Sequence, residues 1–153
     1  MKKSKGTILA AAISAIALGV AGAVSAAAGP DPVKARNDAM EDVGRAFKKI
    51  AAIAKKQAKF DAAVVKTNSE IVAAKLTACL TLFPPGSETG SVKSLAKPEC
   101  FSDAAGLAAG LKASAAAAEG LSKVTDEAAF LPAFKAAGDS CKGCHDKYRV
   151  PKK

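Results

Sequence analysis

The chain carries two thiols and an imidazole in close succession, in the run Cys141-Lys142-Gly143-Cys144-His145. Two cysteines at this spacing lie about one helical turn apart, and each can form a thioether with a vinyl group of a haem. A histidine directly after them can bind the iron from one face of the ring. His145 is the only histidine in the sequence, so the opposite face is left to a methionine, another group or nothing. The motif predicts one covalent haem c.

Two other uses of cysteine compete with this interpretation. A thioredoxin-like Cys-x-x-Cys motif needs a surrounding alternation of strands and helices, and the sequence shows no such alternation. A zinc site would combine Cys141 and Cys144 with Cys79 and Cys100. Cys79 and Cys100, however, lack the close paired spacing that is usual in structural zinc sites. Haem attachment is therefore the favoured interpretation.

The elements that must hold this motif are helices, because apolar residues recur every three or four positions in four segments. Stretches rich in Gly, Pro and Ser separate the segments. Pro84 to Glu99 is predicted to be a loop long enough to cross from one end of a bundle to the other. Pro132 demands a kink in the last helix or a later start. The predicted helices run from Asp31 to about Gln57, from about Asp61 to Leu82, from about Phe101 to Gly120, and from near Thr125 to Val150.

The last helix carries the haem cysteines on its apolar stripe. Residues of this stripe recur at intervals of four, three, four, three and four, which places them on one helical face. A haem tethered to that face would lie inside the bundle, against the other helices. The stripe consists of Phe130, Phe134, Ala137, Cys141, Cys144 and Tyr148.

The amino-terminal residues have the pattern of a secretory signal peptide. Three early lysines precede an apolar run from Ile8 to Val24, which is followed by small residues. The pattern predicts cleavage after Ala26, and at the latest after Ala28, which leaves one domain of residues 27–153. An uncleaved membrane anchor is the alternative, but the run is short for a span. We expect a periplasmic protein with no stable membrane insertion after cleavage.

The chain is basic, with 23 Lys and Arg against 14 Asp and Glu. Its lysines are spread along helices and only one Tyr and six Phe are available for base stacking, so no nucleic-acid-binding module is recognisable. One cluster could steer an acidic redox partner by long-range attraction, or could be a solvated helix face. Its members are Lys48, Lys49, Lys55, Lys56 and Lys59.

A secreted, Ala-rich, four-helix chain with Cys-Lys-Gly-Cys-His-Asp-Lys-Tyr-Arg near its carboxyl end resembles the class II c-type cytochromes. This is the family of cytochrome c′ and its low-spin relatives, cytochrome c-556. The resemblance covers nearly all of the mature chain and implies an all-α, antiparallel four-helix bundle that forms homodimers. Its supporting segments are Arg36 to Met40, Phe83 to Ser87, Lys97 to Glu99, Phe101 to Asp103, and Cys141 to Arg149.

The resemblance also implies roles for individual residues. Arg36 would lie near a haem propionate, Arg149 near the proximal His145, and Met40 on the distal side of the iron. A methionine there can bind the iron, whereas a non-ligating side chain leaves it five-coordinate and open to nitric oxide or carbon monoxide. Many cytochrome c′ sequences have Trp before the crossover, where this chain has Leu80 to Phe83.

That absence favours the low-spin branch, and therefore a one-electron carrier with iron between His145 and Met40. A five-coordinate, gas-binding protein of the cytochrome c′ kind is the alternative. An enzyme is not expected, because the only histidine is committed to the haem and no acid–base or nucleophilic constellation stands outside that site.

Cys79 and Cys100 are not needed for haem attachment. One ends the second predicted helix and the other begins the third, so a disulfide between them would close the intervening loop. Such a cross-link would stabilise the fold by roughly 3 kcal/mol in the chain-entropy model. Two buried free thiols are the alternative.

Overall fold

The computed structural model describes residues 29–151, which form five helices and no strand. The predicted signal peptide and its cleavage site lie outside the described residues. Within the described range, no helix is long and apolar enough to cross a membrane. The helices are α1 (Pro32–Ala54), α2 (Ala62–Ala78), continued by a 3-10 turn (Cys79–Thr81), α3 (Glu99–Ser102), α4 (Ala104–Ser122) and α5 (Glu127–Tyr148).

An aspartate precedes each of the four long helices and caps it. The Asp31 carboxylate accepts from Val33 N at 2.8 Å, and the Asp126 carboxylate accepts from Ala129 N at 2.9 Å. The first amide groups of a helix have no intrahelical acceptor, so a side-chain oxygen at this position stabilises the start. Asp61 and Asp103 cap α2 and α4 in the same way. Asp103 leaves the helical conformation to do so, which separates the short α3 from α4.

Pro132 lies inside α5, which begins at Glu127. A later start of this helix was therefore the wrong alternative. Proline lacks the amide hydrogen that would bond to the carbonyl of Ala128, but both residues are exposed. Water can take that carbonyl instead, so the helix continues through the proline.

The four long helices form an antiparallel bundle, as the resemblance implied. One apolar cluster joins the start of α1 and the end of α2 to the start of α4 and the end of α5. A second cluster joins the opposite ends of the same helices. α2 packs against α1 and α4, and α4 packs against α5, whereas α1 and α5 touch sparsely. The bundle is therefore least tightly closed along its α1–α5 side.

The sequence suggested that the loop between α2 and α3 crosses the bundle from end to end. In the structure it does not. Because α2 and α4 are antiparallel, the loop begins and ends at the same end. Its length is used to pass over the start of α1, where Ser91 N donates to Asp31 at 2.6 Å, and then to reach the end of α5. There Lys97 N donates to the Tyr148 carbonyl at 3.0 Å and Val150 N to the Leu95 carbonyl at 2.8 Å. The loop therefore closes one end of the α1–α5 side.

Candidate functional site

The two cysteines of the motif lie half-buried on α5, at the bundle end where the loop passes. Cys144 packs against the apolar cluster of that end. Phe130, Ala137 and Tyr148, from the same predicted stripe, are buried. Burial raises the pKa of both motif thiols, for Cys141 against a smaller opposing effect of a hydrogen bond with Ser114.

His145 is exposed and lies on the side of α5 that faces α1. It follows Gly138 by seven residues, which is two turns, so the two residues share one face of the helix. Gly138 contacts α1, since a Cβ added to it would lie 3.8 Å from Phe47 Cζ. The Phe47 and Phe134 rings also stack, with centroids 5.0 Å apart. His145 therefore continues, towards the loop end, the face that α5 turns to α1.

Met40 continues the matching face of α1. It precedes Phe47 by seven residues, and α1 runs antiparallel to α5, so Met40 and His145 lie at about the same level, roughly 10 Å beyond the place where Phe47 meets Gly138. Met40 is half-buried and packs against the cluster that also takes up Cys144. The structure thus places Met40 and His145 on facing sides of the two helices that pack least.

Arg36, one turn before Met40, is buried beneath the loop, with 3% of its surface exposed. Its Nη2 donates to the Ser87 carbonyl at 2.6 Å and to Ser94 Oγ at 3.1 Å. Its guanidinium lies 5.0 Å from the ring centre of Phe83. Sequence reasoning singled out Arg36 but missed Ser94, because a serine in a polar loop gives no signal of a partner 58 positions away.

The Arg36 guanidinium has no carboxylate partner among the described residues, and its Nε is buried without a hydrogen-bond acceptor. Burial lowers the pKa of this group, which means that the cation is incompletely compensated. A buried cation with a free donor suits an anionic group beside it. The propionate role of Arg36 stays a prediction.

Arg149 lies beside His145, and both residues line one open surface depression with Asp146, Val150 and Pro151. Neighbouring protein atoms partly desolvate the exposed His145 ring, which lowers its pKa, and the positive charge of Arg149 lowers the pKa further. A lowered pKa favours the neutral imidazole, which is the form that binds a metal. Arg149 also forms an isolated β-bridge with Ala96 of the loop.

Cys79 and Cys100 are buried free thiols in the structure, so the disulfide predicted between them is not formed there. Cys100 Sγ instead donates to the Tyr148 carbonyl at 3.1 Å. Burial raises the pKa of Cys79 to about 11. Across residues 29–151, no group of three or more His, Cys, Asp or Glu side chains is placed to hold a metal ion.

Asp103 connects α4 to the end of α5, and sequence reasoning missed this function of the residue. Its Oδ2 accepts from Lys147 Nζ at 2.6 Å and from Tyr148 Oη at 2.7 Å. Its Oδ1 accepts from Gly106 N at 3.0 Å. The carboxylate therefore fixes α5 three residues after His145.

The lysine cluster lies at the other end of the bundle. Its five members are exposed at the end of α1 and in the turn that follows, and none forms an ion pair with a described residue. Lys55 follows Met40 by 15 residues, a rise of about 22 Å along a helix. The cluster is therefore remote from the half-buried cysteines.

Together, these residues fit a covalent haem. Two thiols stand one turn apart, Met40 lies on α1 at about the level of His145 on α5, and Arg36 offers a buried donor. Apolar side chains from several helices pack in the same cluster as Met40 and Cys144, among them Val43, Phe47, Leu80, Phe83 and Leu111. The donor set is that of haem iron rather than of zinc or of an acid–base catalyst.

Comparison with known proteins yields related sequences over nearly the whole described range. The family model described as Cytochrome C′ matches residues 31–149. Cytochrome c′ of Rubrivivax gelatinosus is 37% identical over 122 residues, which cover 78% of this chain and 94% of the relative. Cytochrome c-556 of Agrobacterium fabrum is 38% identical over 133 residues, 86% of this chain and 88% of the relative.

Solved structures agree with this. Cytochrome c′ from Rhodopseudomonas palustris superposes with a TM-score of 0.77 at 33% identity, over 81% of this chain and 99% of that one. A nitric oxide complex of a mutant cytochrome c′ from Alcaligenes xylosoxidans has a TM-score of 0.69 at 32% identity, over 79% and 95% of the two chains.

Proposed function

Because the chain belongs to the cytochrome c′ family, whose members bind one covalent haem c, we propose that it is a periplasmic one-electron carrier. Cys141 and Cys144 hold the haem through thioethers, His145 binds the iron on one face, and Met40 binds it on the other. When bound, the haem supplies an iron centre that takes up and releases single electrons. The four protein groups come from only two helices, α1 and α5.

One observation carries this proposal: Met40 and His145 each lie seven residues from the place where Phe47 of α1 meets Gly138 of α5. Phe47 and Phe134 fix the two helices against each other, and seven residues separate Met40 from Phe47 and His145 from Gly138. A thioether and an imidazole that face each other at one level suit the two axial positions of a haem iron. Neither residue has to change helix register to reach the iron.

The surroundings of Met40 favour ligation. Its side chain is unbranched and adaptable, and it lies half-buried against an apolar cluster. A thioether closes the sixth position and favours the reduced iron, so electron transfer takes place without exchange of a ligand. The neutral form of His145, favoured by its lowered pKa, serves the opposite position.

The second candidate function is gas binding at a five-coordinate iron. It is favoured by the relatives named cytochrome c′ and by the nitric oxide complex of the Alcaligenes xylosoxidans mutant. In that case, the Met40 side chain lies beside the distal face of the iron without binding it. The two candidates share the fold, both thioethers and His145, and differ only in Met40.

The visible spectra of the oxidised and reduced protein, with and without carbon monoxide, separate the two functions. We expect low-spin spectra that carbon monoxide leaves unchanged. Met40→Ala removes the sixth ligand, so we expect it to become high-spin and to bind carbon monoxide when reduced. Val43→Ala is the matched control, because Val43 also lies on α1 and packs against the same apolar cluster as Met40, but its side chain offers no ligand to iron. Wild-type reduced protein that binds carbon monoxide readily would support gas binding instead.

We further propose that the protein is exported with cleavage after Ala26 and exchanges electrons with an acidic partner protein. The signal pattern and the basic charge support this. Because the lysine cluster lies far from the proposed haem, it would attract the partner at long range, and close contact would occur at the loop end of the bundle. The mass of the purified protein tests the cleavage site, and analytical ultracentrifugation tests the homodimer implied by the resemblance.

A further inference from the structure

α4 meets α5 through a row of small residues next to the motif. Gly106, Gly110 and Ser114 follow each other at intervals of four, which places them on one face of α4. On α5, Tyr148 faces Gly106 and Cys144 faces Gly110. At the next level, Ser114 Oγ and Ser140 Oγ are hydrogen-bonded at 3.0 Å. Each of these three residues of α4 therefore faces a residue of α5, and the two sets run in antiparallel order.

Gly110 contacts the motif directly. A Cβ added to it would lie 3.3 Å from Cys144 Sγ and 3.8 Å from Cys144 Cβ. The first distance is shorter than an ordinary van der Waals contact, so either the sulfur or the added carbon would have to move. Gly120, on the same helix, has no atom within 4 Å of an added Cβ. An added Cβ at Gly106, one turn earlier, would clash with Tyr148 and Asp103, so the need for a bare backbone is confined to the turns of α4 that pack against the end of α5.

The thiol and the thioether respond differently to such crowding. A free Cys144 side chain can rotate about its Cα–Cβ bond and move the sulfur away. A sulfur that is bonded to haem at one end and to α5 at the other has no such freedom. An added methyl at position 110 therefore costs little stability in the haem-free chain, where alanine also favours the helix over glycine. The same methyl opposes formation of the thioether at Cys144.

We propose that Gly110 is a positioning residue for haem attachment, because its missing side chain leaves the space in which Cys144 Sγ forms its thioether. The inference rests on the proposed haem site. In the step concerned, the Cys144 S–H adds across a vinyl double bond. A carbon–sulfur bond forms, the hydrogen passes to the other vinyl carbon, and the double bond is consumed, so no oxidant or reductant is needed.

The test compares wild type, Gly110→Ala and Gly120→Ala, each produced with haem. The denatured proteins are alkylated at free thiols, digested and analysed by mass spectrometry, and their pyridine complexes are measured in the visible range. We expect wild type and Gly120→Ala to have Cys144 blocked by haem. Gly110→Ala should lose the Cys144 thioether in most chains while Cys141 stays attached. Its pyridine complex should absorb at longer wavelength, because one vinyl group remains conjugated to the ring.

A second comparison separates positioning from folding. With Cys144→Ala as background, every haem is held by Cys141 alone, so adding Gly110→Ala should leave the yield of covalent haem unchanged. An equal loss of yield in that background would show a general defect and overturn the inference. If Gly110→Ala formed both thioethers completely, this inference would be overturned, but the proposed function would stand. Wild type without covalent haem would overturn the proposed function and this inference with it.

Discussion

A single carboxylate ties the end of α5 to the start of α4. Asp103 accepts hydrogen bonds from Lys147, Tyr148 and the Gly106 amide. Two hydrogen bonds, the larger effect from Lys147 and the next from Tyr148, lower the pKa of Asp103 from 3.8 to about 2. A carboxyl whose pKa is lower in the folded than in the unfolded chain stabilises the fold in its ionised form. That stabilisation is fully present above pH 3.8 and is lost as the pH falls through about 2.

Asp103→Asn should therefore lower the free energy of unfolding at neutral pH and weaken its dependence on pH between about 4 and 2. Asparagine also caps helices well, so the start of α4 should be retained. Urea unfolding at several pH values measures both effects. Asp38→Asn, which removes an exposed pair with Lys34, is the control and should lower the free energy of unfolding at neutral pH by less than Asp103→Asn does. An equal slope for Asp103→Asn and wild type would contradict the role given to Asp103.

Sequence reasoning singled out the candidate haem residues but missed residues that support them. Cys141, Cys144 and His145 form a local motif, which is visible without a fold. Asp103 and Ser87 are ordinary polar residues whose partners lie 44 to 51 positions away. No periodicity or local spacing connects such residues, because the connection exists only when the helices pack.

Among the elements, the loop between α2 and α3 depends most on one buried residue. Arg36 donates to the carbonyls of Leu82 and Ser87 and to the hydroxyls of Ser87 and Ser94. The loop composition, rich in Gly, Pro and Ser, correctly excluded a helix. It did not reveal the path of the loop, because composition shows where a chain turns but not which side of a bundle it covers.

Arg36→Gln should destabilise the protein by about 3 kcal/mol, since it removes the donors of several buried acceptors. It should also make the loop easier to cleave by protease. Urea unfolding and limited proteolysis measure the two effects. Arg45→Gln is the control, because Arg45 is exposed and pairs only with neighbours on α1, so its loss should cost less than about 1 kcal/mol. A loop that resists cleavage in Arg36→Gln would contradict the role of this residue as its anchor.

At the scale of the whole molecule, the packing is uneven. α2 packs against α1 and α4, and α4 packs against α5, but α1 and α5 touch sparsely, with the Phe47 and Phe134 rings stacked between them. The sequence predicted four helices and their inner faces, because these follow from periodicity and aspartate caps. It could not show which pair of neighbours packs least, since this depends on side chains from two distant segments.

A haem that joins α1 and α5 should protect those two helices most. We expect amide hydrogen exchange to slow, on haem loading, chiefly in residues 36–47 and 138–149, and less in the middle of α2. The reason is that local opening exposes amides most easily where few apolar contacts hold a helix. Exchange measured by mass spectrometry on loaded and haem-free protein tests this. A gain in protection that is greatest in α2 would contradict it.

The weak contact between α1 and α5 also has a consequence for assembly. Synthesis proceeds from the amino end, so α1, α2 and α4 are all present before α5 is complete. The contacts of α2 with α1 and α4 need no residue of α5. The last segment adds both cysteines, the histidine and Arg149, which bridges to Ala96 of the loop. We expect the prosthetic group to enter with the helix that carries its anchors, before that helix seals the open side.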